Sequence, residues 1–145
     1  MAAQSGATAV RFEGIYTPIV TPYHNDFSLN EAALVATLEH LVQAGVHGII
    51  VAGTTGEYYA QAPEERIELM GRVKSLLADR LPLVVGTGAM RTEDSIFYAE
   101  AARKIDADAL LVATPVSYTH LTLPTMSTTC SGGGWGGGGG GGGGG

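Results

Sequence analysis

The sequence predicts an α/β fold with parallel strands, and three observations carry that reading. Short β-branched runs recur up to Pro115, each about the length of a strand buried on both faces. Segments with a helical apolar stripe separate them. Two of the runs lead through a glycine-bearing turn into a helix-opening signal, so the order is βαβαβαβ, which requires parallel pairing with right-handed crossovers.

In chain order, residues 1–11 form a small, polar N-terminal arm. Gly14-Ile15-Tyr16-Thr17-Pro18-Ile19-Val20-Thr21-Pro22 reads as a first strand, irregular at Pro18 and ended by Pro22. Ser28-Leu29-Asn30-Glu31 has the spacing of a capping box and predicts a helix start there. Leu34, Leu38, Leu41 and Val42 then share one face, and Gly45 supplies the stop. The second strand, Gly48-Ile49-Ile50-Val51-Ala52, runs into the turn Gly53-Thr54-Thr55-Gly56-Glu57. Ala62-Pro63-Glu64-Glu65 opens a helix extending to about Arg80, with proline at its first position, carboxylates in its first turn, and Met70, Val73 and Leu77 on one side. A third unit follows: strand Leu83-Val84-Val85, loop Gly86-Thr87-Gly88-Ala89, and a helix opened by Thr92 with Glu93 and Asp94. Ala109-Leu110-Leu111-Val112-Ala113 is the fourth strand.

Composition narrows the function classes. The net charge is −6 and the Arg and Lys residues are scattered, so no footprint for nucleic acid is expected. The single cysteine, Cys130, excludes a disulfide framework, and no apolar stretch reaches the roughly 18 residues of a membrane span. With no signal-peptide pattern at the N-terminus, a cytoplasmic location is expected, without a membrane partner. His40 and His47 read as solvated or capping histidines rather than ligands, and no metal or cofactor is expected.

Both glycine loops carry threonine next to glycine, at the point where an α/β fold binds ligands, beyond the carboxyl ends of its strands. Glycine lets a backbone approach a ligand, and its N–H groups can hold a carboxylate or phosphate oxygen. The competing reading is that these glycines only make tight turns. Gly86-Thr87-Gly88-Ala89-Met90-Arg91 lacks the third small residue of a dinucleotide fingerprint, and neither loop is followed by the lysine of a P-loop.

Taken together, Gly14 to Pro22, Gly53-Thr54-Thr55-Gly56-Glu57, Gly86-Thr87-Gly88-Ala89 and Ala107 to Pro115 resemble the dihydrodipicolinate synthase and N-acetylneuraminate lyase family. The resemblance covers about Phe12 to Pro115. It implies class I aldolase chemistry on a TIM (β/α)8 barrel, of which this stretch is the N-terminal half, about four βα units. In such enzymes a lysine forms a Schiff base with pyruvate or a related 2-keto acid, and the derived enamine attacks an aldehyde. By the same resemblance Thr54 matches a catalytic threonine in a proton relay with tyrosine. Thr55 and the backbone N–H groups of the turn, with Gly53 and Gly56, would bind the keto-acid carboxylate. The parent enzyme would be a homo-oligomer that needs no cofactor. Tyr58-Tyr59 departs from the small residues usual after the motif, and Asp106 stands where glycine is usual.

The resemblance stops after Pro115. The only lysines, Lys74 and Lys104, lie inside predicted helices, so the Schiff-base lysine is absent from this chain. Tyr118 is not at the position of the family's tyrosine and takes no role. Val116–Thr125 resembles the conceptual translation of a transposase-type sequencing adapter, and a guanine run would translate as the polyglycine that follows. Residues 116–145 are therefore expected to be an artefact tail, Gly-rich and disordered, and residues 12–115 an incomplete, inactive fragment with unpaired sheet edges. Two rivals stand beside the lyase reading. One is a small, doubly wound α/β module that binds an anion without catalysis. The other is a non-catalytic half-barrel that adds to another chain.

Overall fold

The computed structural model describes residues 12–113 and 131–132. The first strand, β1 (Tyr16–Pro18), is shorter than the apolar run around it. Gly14, at φ 89°, turns the chain in beneath the His47 ring, and His47 Nδ1 accepts from the Ile15 N–H at 3.0 Å. Proline lacks the N–H needed to extend the ladder at residues 18 and 22, although Ile19 still donates to the Ile50 carbonyl at 3.0 Å.

Helix α1 (Glu31–Gln43) is capped by Asn30, whose side chain accepts from the Ala33 N–H, and not by the expected Ser28 box. Ser28 is occupied elsewhere: its N–H and hydroxyl both donate to Asp26 Oδ1, closing the loop before the helix. Leu34 and Leu38 are buried as the stripe requires. Gly45 (φ 77°) ends the helix, with Gly45 N–H to Val42 O and Val46 N–H to Leu41 O, the paired bonds of a Schellman stop.

Strand β2 (Gly48–Val51) precedes α2 (Pro63–Leu77), where Glu65 reaches back to the Ala62 N–H at 3.3 Å. This helix stops at Leu77, short of the expected Arg80, because Ala78 and Asp79 both take left-handed conformations before Pro82. Arg80 instead closes that end, donating to the carbonyls of Leu76 and Leu77 and pairing with Glu39 on α1. Strand β3 (Leu83–Gly86), helix α3 (Thr92–Lys104) and strand β4 (Ala109–Val112) complete the parallel part. Asp106 sits at φ 53°, the left-handed turn that Asp tolerates better than most residues.

The strands lie in the order β1-β2-β3-β4, all parallel, with Thr17 opposite Ile49, Ile49 opposite Leu83 and Val85 opposite Leu110. Alternate residues Ile49, Val51, Leu83 and Val85 join one core with Leu34 and Leu38 of α1, Leu69, Met70, Val73 and Leu77 of α2, and Tyr98 and Ala102 of α3. All three helices therefore cover the same sheet face. Consecutive order with helices on one side is the singly wound arrangement of a (β/α) barrel. A flavodoxin-like sheet reverses its order at a switch point, so the doubly wound expectation is not met.

One expectation for the tail is corrected. Ser131–Gly132 forms β5, antiparallel to Leu111 and Val112 of β4. An edge strand presents unpaired N–H and C=O groups that any extended segment can satisfy, including one without β-forming side chains. The rest of residues 116–145, Tyr118 included, lies outside the described residues.

Candidate functional site

Beyond Val51 the chain cannot continue as a strand. Ala52 is left-handed (φ 54°), Gly53 is extended, and Thr54–Gly56 makes one 3₁₀ turn closed by Gly56 N–H to Gly53 O and Glu57 N–H to Thr54 O, both 3.0 Å. Those bonds begin with the Gly56 donor, so the N–H groups of Thr54 and Thr55 are not spent inside the turn. Thr54 and Thr55 are exposed, whereas Gly53 and Gly56 are buried. A left-handed Glu57 (φ 56°) links to a second 3₁₀ turn, Tyr58–Ala60.

Gly56 is where the turn meets the loop after β1. A Cβ there would lie 3.1 Å from the Ile19 carbonyl oxygen and 3.2 Å from Thr21 Oγ1. Its own carbonyl accepts from Thr21 Oγ1 at 2.8 Å and Gln61 Nε2 at 3.2 Å. Gln61 Nε2 also reaches Thr21 Oγ1 (3.1 Å) and Tyr23 Oη (3.2 Å), and Tyr23 donates to Glu65 Oε1 at 2.6 Å. Burial, and then the hydrogen bond to Glu65, push the Tyr23 phenol above its usual range. Gly53 has no such steric demand, since its nearest neighbour to a Cβ would be Ile50 Cγ2 at 3.8 Å.

The β3 loop is held from two sides. Thr87, 1% exposed, donates its N–H to Leu111 O at 3.0 Å, which ties it to β4. From the helix side, Arg66 of α2 donates Nη2 to Gly86 O (2.7 Å) and Nη1 to Gly88 O (2.9 Å). Its guanidinium carbon lies 3.9 Å from the Tyr98 ring centroid and 4.6 Å from that of Tyr58. Tyr58 in turn stands over Gly88, where a Cβ would be 3.2 Å from the phenol oxygen.

The structure thus brings Gly53, Thr54, Thr55 and Gly56 together at the carboxyl end of the sheet, beside the loops after β1 and β3. The lysines are elsewhere. Lys74 pairs with Asp79 at 2.9 Å and approaches Asp108 at 3.8 Å, and Asp108 Oδ2 accepts from the N–H of Leu83, the first residue of β3. That places Lys74 at the amino end of the strands, opposite the threonine turn. Lys104 ends α3 and is exposed. His47 serves the turn into β1 and His40 is exposed. Among the described residues no group of three or more His, Cys, Asp or Glu side chains is placed to hold a metal, and no helix is long and apolar enough to cross a membrane.

Sequence reading missed Arg66, Gln61 and Tyr23. Arg66 left a signal: it precedes Met70, Val73 and Leu77 by four, seven and eleven residues, in phase with the buried stripe of α2. An arginine on that stripe must find acceptors, because a buried charge without partners is costly.

The profile of the Dihydrodipicolinate synthetase family matches residues 11–127. A 4-hydroxy-tetrahydrodipicolinate synthase from Chelativorans sp. is 38% identical over 104 residues, 72% of this chain and 36% of that protein. The 4-hydroxy-tetrahydrodipicolinate synthase structure from Methylacidiphilum fumariolicum SolV superposes with a TM-score of 0.70 at 34% identity, over 72% of this chain and 35% of that one. A prophage protein of the dihydrodipicolinic acid synthase family from E. coli K12, solved with pyruvate, gives 0.71 at 27% identity, over 78% of this chain and 38% of that one. The chain spans 34–36% of the length of the most similar curated relatives. The barrel-type winding, the threonine turn at the carboxyl end of β2 and a profile match across most of the sequence agree: this chain belongs to the dihydrodipicolinate synthetase family.

Proposed function

We propose that this chain supplies the first four strands of a class I aldolase-type lyase barrel that works on pyruvate or a related 2-keto acid and an aldehyde. The observation that carries the reading is the Thr54–Gly56 turn, with two exposed hydroxyls and two N–H donors not consumed by the turn, at the carboxyl end of β2. Thr55 and the turn's N–H groups, with Gly53 and Gly56 keeping the backbone open, hold the keto-acid carboxylate. Hydrogen bonds from N–H donors to a carboxylate are charge-assisted and orient a planar anion. The Thr54 hydroxyl passes a proton in the relay. The pyruvate bound in the E. coli K12 relative supports the choice of ligand class.

The nucleophilic amine must come from a strand-borne lysine outside this sequence, since Lys74 and Lys104 are remote from the turn. Alone, the 145-residue chain therefore binds and does not turn over, and the working parent is a cytoplasmic homo-oligomer. On this reading residues 116–145 are no part of the barrel. Sequencing the transcript across the codons for Pro115 and Val116 checks that boundary: a frame that continues to a strand-borne lysine supports it, and one that encodes Val116–Gly145 refutes it. The non-catalytic anion-binding module uses the same turn, but it was expected on a doubly wound sheet, and the strand order opposes that.

Titration of the ¹⁵N-labelled full chain with pyruvate tests the site. Saturable shifts at the Thr54, Thr55 and Gly56 amides, weakened in Thr55→Val, are expected. Shifts that are absent, or centred on another part of the sheet, refute the assignment.

A further inference from the structure

Arg66 carries a charge to a place where, among the described residues, no carboxylate meets it. The residue is 2% exposed, its Nε has no acceptor among the described residues, and its guanidinium donates to the carbonyls of Gly86 and Gly88. Burial pulls its pKa below the usual guanidinium value, and the neighbouring Tyr98 and Tyr58 oppose that pull. For stability alone, an apolar side chain of similar length would serve as well or better, because desolvating an unpaired cation works against folding. What an apolar residue cannot do is hold two carbonyls at once. The guanidinium fork presents parallel donors in a fixed plane, and here they engage the carbonyls on either side of Thr87.

That grip links two parts of the candidate site. Thr87 is tied to Leu111 on one side, so residues 86–88 are fixed between β4 and Arg66. The Tyr58 ring lies over the guanidinium and its hydroxyl end stands beside Gly88. Tyr58 follows directly on Glu57, the residue that closes the threonine turn. One side chain thereby braces the loop after β3 and the wall next to the turn after β2.

We propose that Arg66 is the positioning residue of this site, a splint that holds the Gly86–Gly88 backbone and Tyr58 in fixed relation to the Thr54–Thr55 turn. The purpose assigned to the splint rests on the keto-acid reading above. The splint itself rests on geometry.

The test uses the full chain with Arg66→Met, which keeps length without donors, and Arg66→Lys, which keeps charge without the fork. In Arg66→Met, hydrogen exchange at the Thr87 amide should accelerate by about tenfold or more while the core amides of Leu38 and Ile49 stay within about twofold, the pattern of a local opening. The pyruvate concentration giving half-maximal shifts at Thr54 and Thr55 should rise about tenfold, as expected for lost preorganisation. Arg66→Lys should restore part of both effects. Equal acceleration throughout the sheet would make Arg66 a general stabilising residue and overturn the proposal, as would an unchanged Thr87. If Arg66→Met does not fold, Tyr98→Leu, which removes one ring face and leaves the fork, must give a smaller acceleration confined to the same loop, or the proposal fails. If the unsubstituted chain ignores pyruvate, the keto-acid reading falls by itself, and the exchange data still decide the splint.

Discussion

Replacing Gly86 by alanine probes how closely the ends of β2 and β3 are joined. The new Cβ would lie 2.2 Å from the Ala52 carbonyl oxygen, 2.8 Å from its carbon and 3.1 Å from the Gly53 nitrogen. All three atoms belong to the backbone, so no side-chain end can swing aside. Ala52 has little freedom to move, since it already occupies the left-handed region at φ 54°, where a Cβ costs about 1–2 kcal/mol. Val51 beside it is held in register with Val85. Overpacking of a fixed site costs about 1–3 kcal/mol, and the upper end is expected here. With a urea m value of about 2 kcal/mol per molar, a loss of about 3 kcal/mol lowers the midpoint by about 1.5 M. Urea titration of the full chain followed by far-ultraviolet circular dichroism measures it. The control is Gly71→Ala in α2, where nothing lies within 4 Å of the added Cβ, so helix propensity alone should stabilise by about 0.5–1 kcal/mol. A Gly86→Ala midpoint equal to that of Gly71→Ala refutes the steric reasoning.

Two other outcomes are expected. Gln61→Glu removes the Nε2 donor that serves Gly56 O, Thr21 Oγ1 and Tyr23 Oη and sets oxygen against oxygen in a buried site, so it should destabilise by about 1–3 kcal/mol; a urea midpoint like the parent's would contradict that network. Arg80 hydrogen-bonds both Glu39 oxygens and holds that carboxyl below the usual carboxylate range. Because the folded value is the lower one, the stabilisation is fully present above the unfolded glutamate pKa of about 4.3 and is lost as pH falls through the depressed folded value. In Arg80→Met the Glu39 carboxyl-carbon titration should move up toward the ordinary range, and a midpoint that stays put would falsify the pairing.

The winding was legible because its signals are local and redundant. Leu34 and Leu38, Met70, Val73 and Leu77, and the β-branched runs each report a buried face through spacing alone. Boundaries were less legible, because competing local partners decide them. Ser28 offers the same kind of side-chain oxygen as Asn30, but the helix begins at Glu31, so Asn30 is the residue in place to accept from Ala33 while Ser28 turns back to Asp26. Helix α2 lost its last predicted turn to two left-handed residues, Ala78 and Asp79, neither of them glycine. In the site, the threonine turn could be read because it is contiguous. The Gln61 network joins residues 21, 23, 56, 61 and 65, and the Arg66 grip spans about twenty residues to Gly86 and Gly88, contacts that exist only after β1, β2 and β3 are aligned.

Tyr58 and Arg66 are packed as one unit. Arg66 has no carboxylate partner among the described residues, so what tolerates its charge is two carbonyls and two aromatic faces. Tyr98 supplies one face from α3 and Tyr58 the other from the turn region. A small residue at position 58 would uncover the guanidinium on that side and leave Gly88 without its neighbour. Water could then solvate the unpaired Nε, and the carbonyl bonds would lose the low-dielectric surroundings that strengthen them. Tyr58 is therefore tied to Arg66: the ring next to the threonine turn is also the ring that keeps the splint dry. Truncating the side chain at position 58 should for this reason loosen the loop after β3, and a Tyr58→Ala chain whose Thr87 amide exchanges at the parent rate would show the two to be independent.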